Sequence, residues 1–322
     1  MSRRHIRRRT AALAAAAFAV SPWATAAGQV PEACRELVFA EVGWTDIAAT
    51  TATTELVLEG LGYAVETKTL SVPVTYRSLA NGDLDVFLGN WMPTMKADIA
   101  PYREAGEVEV VRANLEGAKY TLAVPTYLAQ DGLTSFQDIV AFEAELDGEI
   151  YGIEPGNDGN RLIREMIEND TFDLAGFELV ESSEQGMLAE VRRAVADEEP
   201  IVFLGWEPHP MNAAFDMTYL AGGDDVFGPN YGGATVYTNV RAGLTEECAN
   251  LGAFLDNLLF SLEMENEIMA AILEDGERPA AAAEAWLTAN PAVLEDWLEG
   301  VETVDGAPGL PAVRAHLGLG TG

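Results

Sequence analysis

Two short segments far apart in the chain carry nearly the same residues. Val86-Phe87-Leu88-Gly89-Asn90-Trp91-Met92-Pro93 is answered by Val202-Phe203-Leu204-Gly205-Trp206-Glu207-Pro208. Each is an apolar, strand-like run, then a glycine, a tryptophan, and a proline two residues further on. The first copy has one extra Asn. A repeat of this kind points to two units of related architecture.

The pattern around the copies fits that reading. Short apolar runs alternate with longer amphipathic stretches, as in α/β units built on largely parallel sheets. Strands are expected at 37–42, 63–70, 84–88, 107–111, 120–124, 149–153, 177–181, 201–204 and 234–240. Helices are expected at 46–61, 136–146, 161–169 and 186–196, and the chain is helical from Glu246 onward. The expected division is a first lobe of residues 28–114 plus 235–322 and a second lobe of 115–234. Two crossings between them make a hinge. The two cysteines, Cys34 and Cys248, allow one disulfide or two free thiols. In an oxidising compartment the pair reads as a disulfide, which would tie both ends of the chain to one lobe.

That compartment is suggested by the first residues. Arg3, Arg4, Arg7, Arg8 and Arg9 precede an apolar run to Val20, and Ala24-Thr25-Ala26 is a small-x-small cleavage site. Residues 1–26 therefore read as an export signal, with no cysteine at the cleavage site for a lipid anchor. Nothing later approaches the roughly 20 apolar residues of a membrane span. The formal net charge is −33. Phosphate would be repelled, which argues against nucleic acid as a partner. Most of this acidity reads as a device for solubility, but it also makes a small cation the natural ligand.

Three tryptophans share one context. Trp44 follows 37–42 and Gly43, Trp91 follows Gly89-Asn90, and Trp206 follows Gly205, so each is expected just past a strand's carboxyl end. In open α/β sheets ligands bind there. Several indole faces around one point suit a permethylated ammonium. Its charge is spread over methyl groups and it has no N–H to donate, so ring faces attract it at about 0.5–2 kcal/mol each. Stacked sugars also use Trp, but these segments supply few donors and acceptors for hydroxyls. Asp46 either caps the helix that follows or sets a carboxylate beside a cation or a ligand hydroxyl. Asn157, in Glu154-Pro155-Gly156-Asn157-Asp158-Gly159-Asn160, either caps a helix or touches the ligand. Tyr120 either packs in its strand or faces the cleft from the crossover.

In Gly43-Trp44-Thr45-Asp46, the two repeated motifs, Gly156-Asn157 and the paired cysteines, the sequence resembles the periplasmic choline-binding proteins of ATP-driven importers, within the glycine betaine/choline substrate-binding family. The resemblance covers nearly all of the chain after the leader. It implies a two-lobed periplasmic binding fold that closes on its ligand, and a Cys34–Cys248 disulfide. It implies Trp44, Trp91, Tyr120 and Trp206 as an aromatic box, with Asp46 and Asn157 as partners of the choline hydroxyl. A permease in the inner membrane is the implied partner. The protein is expected to act as a monomer, and no cofactor is expected.

Asp46 also favours choline over glycine betaine, whose carboxylate it would repel. Acetylcholine shares the head group and is an alternative, as are a betaine binder and a sensory binding protein using the same pocket. An enzyme on this fold is a poor match. His209 lies between two prolines and His316 near the end of the chain, both cysteines are expected to pair, and no Cys/His metal spacing or phosphate-binding Gly-Lys loop occurs.

Overall fold

The computed structural model describes residues 29–320; the expected leader, 1–26, lies outside them. Nine strands form one continuous sheet: β1 (Glu36–Glu41), β2 (Ala64–Thr69), β3 (Val86–Met92), β4 (Val108–Pro125), β5 (Glu149–Tyr151), β6 (Glu178–Val180), β7 (Phe203–Glu207), β8 (Met217–Tyr219) and β9 (Gly233–Arg241). Their order is β2-β1-β3-β9-β4-β7-β5-β6, with β8 paired to β4. This is one plan used twice. β1 lies between parallel β2 and β3, and β9 adds antiparallel to β3. Likewise β5 lies between parallel β6 and β7, and β4 adds antiparallel to β7. The repeated motif occupies the equivalent strand of each lobe, β3 in one and β7 in the other. Both X–Pro bonds that follow, Met92–Pro93 and Glu207–Pro208, are cis. The sheet is mixed rather than largely parallel, because the strand completing each lobe arrives by crossing over and runs against its neighbour.

β4 corrects a further expectation. Separate strands at 107–111 and 120–124 are one element, because the polar stretch between them does not end the ladder. Residues 108–119 pair with β9, and 119–123 with β7. Asn114 is buried, but its amide donates to the Leu88 carbonyl at 2.9 Å and the Thr238 hydroxyl at 3.1 Å. A satisfied polar residue can remain inside a sheet. Pairing slips between Ala113 and Ala118, the kind of irregularity that bends a strand. The divisions expected at 114/115 and 234/235 fall inside β4 and β9 rather than in loops.

Seven helices position the site: α1 (Thr45–Leu61), α2 (Val72–Asn81), α3 (Lys96–Ala105), α4 (Thr126–Gln130), α5 (Asp158–Glu168), α6 (Glu184–Asp197) and α7 (Met211–Ala214). α1 is buried along most of its surface although it is rich in threonine. Thr50, Thr53 and Thr54 manage this by donating their hydroxyls to carbonyls one turn earlier, at 3.0, 2.8 and 2.8 Å. The C-terminal helices Leu262–Leu273, Pro279–Ala289 and Gly309–His316 pack against α1, so the end of the chain returns to the first lobe. A Cys34–Cys248 disulfide fastens the same return. α2 and α3 were not anticipated. Pro73 sits in the first turn of α2, where its missing amide is no loss. Residues 136–146, expected as an α-helix, form the shorter 3-10 helix Phe136–Phe142, opened by a Ser135/Asp138 capping box. No helix among the described residues is long and apolar enough to cross a membrane.

Candidate functional site

The three tryptophans converge, although two of them sit differently from expectation. Trp91 and Trp206 lie within the last residues of β3 and β7, not past them, because each ladder continues through the indole position. Trp91 pairs with Val236 of β9, and Trp206 pairs with Tyr120 of β4. Trp44 follows Gly43, whose φ of +85° suits glycine, and stands at the N-cap of α1. Tyr120 is the link between lobes: its ring centroid is 6.1 Å from that of Trp91 and 6.2 Å from that of Trp206.

These four aromatic residues wall a small cavity. Asp46, Ile153 and Asp158 complete the lining, and no Lys, Arg or His joins them. Carboxylates fix two of the indoles. Trp91 Nε1 donates to Asp46 Oδ2 at 3.1 Å, and Trp44 Nε1 donates to Glu154 Oε1 at 2.8 Å. With the N–H groups engaged at the ring edge, the faces remain to meet a ligand.

Asp46 makes no side-chain cap on α1. Its second oxygen, Oδ1, is buried without a hydrogen-bond partner. Burial pushes its carboxyl up to about 7, Glu184 adds repulsion, and the amides of the first helical turn and the Trp91 N–H pull it back in part. Asn157 resolves toward its capping role. Its Oδ1 accepts the Asn160 amide at 2.8 Å and the Tyr120 hydroxyl at 3.4 Å, which places it behind the wall and against Tyr120. The next residue, Asp158, reaches the cavity instead, with both oxygens buried and unpaired. Burial pushes it up to about 6; the neighbouring Thr94 hydroxyl donates to the Trp91 carbonyl at 3.2 Å. Glu154 is pushed up to about 7, again by burial first.

Within the loop 154–160 it is Asp158 that lines the cavity, while Asn157 caps α5: an Asn before a helix is the familiar cap, whereas nothing local marks the following Asp as facing inward. Ile153 and Glu154 were also missed as lining and as support. Close packing here leaves one further trace. A Cβ on Gly159 would lie 2.0 Å from the Tyr120 hydroxyl, so the start of α5 can approach Tyr120 only with glycine at that position.

The chemistry on offer is narrow. Ring faces and unpaired carboxylates attract positive charge, and the small, dry, donor-poor interior suits a cation wrapped in methyl groups. The two cysteines are paired with each other. Among the described residues no cluster of three His, Cys, Asp or Glu side chains has metal-binding geometry. His209 is buried and stacks edge-on against Trp206, centroids 4.8 Å apart, outside the cavity wall.

Comparison with known proteins agrees with this geometry. The profile of the substrate-binding domain of ABC-type glycine betaine transport systems matches residues 35–289. A solved ABC-transporter choline-binding protein in complex with choline is 67% identical, with a TM-score of 0.88 over 89% of this chain and 99% of that one. An ABC-transporter choline-binding protein in an unliganded semi-closed conformation is also 67% identical, with a TM-score of 0.83 over 89% of this chain and 100% of that one. The glycine betaine/carnitine transport binding protein GbuC of Listeria monocytogenes is 32% identical over 162 residues, which span 50% of this chain and 53% of that protein.

Proposed function

The chain belongs to the family of substrate-binding domains of ABC-type glycine betaine transport systems, and from that premise we propose that it captures choline between its lobes and presents it to a membrane permease. The observation that carries the proposal is the composition of the cavity: four aromatic residues and two buried carboxylates, with no cationic side chain in the wall.

Trp44, Trp91, Tyr120 and Trp206 hold the trimethylammonium head by cation–π contact and by burying its methyl groups. Three or four faces at about 0.5–2 kcal/mol each, with the burial of the methyl groups, favour the bound cation. The free oxygen of Asp46 accepts the choline hydroxyl, and Asp158 adds negative potential from the facing lobe. Asn157 acts from behind, holding the start of α5 and the Tyr120 hydroxyl. Glycine betaine presents a carboxylate to this wall and is repelled; its binding would need several N–H donors there. The relative at 67% identity with choline bound supports the same choice.

Capture works by closure. Trp44, Asp46 and Trp91 belong to lobe one (28–114 plus 235–322), and Tyr120, Asp158 and Trp206 to lobe two (115–234). Neither half completes the cage, so ligand binds the closed form better and shifts the population toward it. The chain works after export, in the periplasm, with residues 1–26 removed. Calorimetric titration with choline tests the reading: wild type binds, and Trp91→Ala loses roughly tenfold or more in affinity. Equal affinity in the two proteins rules out the cage.

A further inference from the structure

The start of α1 has no cap of its own. Trp44 holds the N-cap position and its side chain caps no helix amide, so the Thr45 amide needs an acceptor from elsewhere. One comes from across the cleft. Glu184, the first residue of α6 in the second lobe, turns its carboxylate onto Thr45, the first residue of α1 in the first lobe. Its Oε2 accepts the Thr45 amide at 2.8 Å and its Oε1 accepts the Thr45 hydroxyl at 2.5 Å. All three groups are buried. His209 backs this arrangement. The Met211 amide donates to His209 Nδ1 at 2.9 Å. An amide only donates, so Nδ1 is the bare nitrogen and the ring proton sits on Nε2, which points at Glu184 Oε1 from 3.3 Å.

We propose that Glu184 is a positioning residue for capture: it caps α1 in trans when the lobes shut, and so clamps Trp44 and Asp46, the residues on either side of Thr45, against the second lobe's half of the cage. The inference rests on the choline-capture reading and deepens it. Two hydrogen bonds from one residue to a buried carboxylate at a helix N-terminus hold the two elements together in a fixed geometry. They exist only in the closed form, because their donors and acceptor lie on different lobes, so they stabilise that form alone. Other ties also cross the cleft. Arg161 reaches the Thr94 carbonyl at 2.8 Å and Asp98 at 3.0 Å, but its side chain is 26% exposed, where ion pairs count for less. Trp44–Glu154 belongs to the cage itself. Glu184 alone among these addresses the end of a helix, and it is absent from the cavity wall. Its contribution is therefore to retention and not to ligand choice.

The test measures choline binding and dissociation in wild type, Glu184→Gln, Thr45→Val and Thr45→Ser by calorimetry and stopped-flow fluorescence. Gln offers one acceptor where the latch uses two, and Val keeps the shape of Thr without its hydroxyl. Each of these two raises Kd about tenfold, through faster dissociation with an unchanged association rate. Thr45→Ser returns the hydroxyl and restores slow dissociation. The preference for choline over acetylcholine stays constant throughout. If wild type binds choline and both Glu184→Gln and Thr45→Val release it at the wild-type rate, the latch is wrong while the cage stands. If wild type binds neither choline, acetylcholine nor glycine betaine, the cage reading fails by itself. The latch is then judged by small-angle scattering of the ligand-free proteins: a larger radius of gyration for Glu184→Gln than for wild type supports it, and equal radii overturn it.

Discussion

The indole N–H of Trp91 donates to Asp46 Oδ2 at 3.1 Å, with both side chains buried. The bond joins the end of β3 to the start of α1 and leaves Asp46 Oδ1 unpaired at the cavity. One carboxylate thus fixes an aromatic face and keeps a free oxygen at the cavity. Asp46→Asn keeps the shape and loses the charge. Choline affinity should fall by about 2 kcal/mol, a factor of roughly 30, and the gap between choline and glycine betaine should narrow. Calorimetry with both ligands checks this; an unchanged gap would mean that Asp46 does not discriminate.

Proton linkage follows from three buried carboxyls. Asp46 and Glu154 are pushed up to about 7 and Asp158 to about 6, by burial in each case, with Glu184 facing Asp46 and Asp98 facing Asp158. Glu265, on the Leu262–Leu273 helix, is also near Asp46 and is raised well above the carboxylate range by burial. A bound cation favours the ionised forms, so choline uptake should release protons. Affinity should fall as pH drops from about 8 to about 5, by at most about tenfold per unit for each proton released. Without ligand the sign reverses. The native state holds protons that the unfolded chain, with carboxyls near 4, has lost. Stability from these groups is thus complete below about pH 4 and is lost as pH rises through about 6 and about 7. Titrations in buffers of different ionisation enthalpy measure the proton release.

Asp158 gives a case where stability and function pull apart. Both its oxygens are buried without partners, which is unfavourable for an ionised group. Asp158→Asn should raise the melting temperature of the ligand-free protein at about pH 8 by a few degrees and should weaken choline binding several-fold. Thermal melts with and without choline would show the two effects with opposite sign.

Gly159→Ala places a methyl carbon 2.0 Å from the Tyr120 hydroxyl. Either Tyr120 or the start of α5 must shift. The variant should lose about 1–3 kcal/mol of stability together with at least tenfold in choline affinity, read by denaturation and calorimetry. A stable variant with full affinity would show that Tyr120 is not held in place by this contact.

Much of this was legible in the sequence because it is local. The strand–Gly–Trp–x–Pro repeat named the two equivalent strands and two tryptophans that line the cavity, and the cysteine pair named its own partner. What was missed depends on contacts between distant segments. Whether Asn157 or Asp158 lines the cavity depends on how α5 meets Tyr120, and a one-residue choice at a helix start has no periodic signature. Glu184 looks like any acidic residue opening a helix until α1 arrives 139 positions away in the chain. The continuity of β4 was hidden for a similar reason. Asn114 reads as a loop residue until Leu88 and Thr238 supply its partners.

The central claim is a cage for a methylated cation whose polar end must not be anionic. A competitive titration of the wild-type protein with choline, acetylcholine and glycine betaine at neutral pH tests it most directly. Choline should bind and be displaced by acetylcholine at higher concentration, while glycine betaine should fail to displace it at about a hundredfold excess. Displacement of choline by equimolar glycine betaine, or no binding of choline at all, would contradict it.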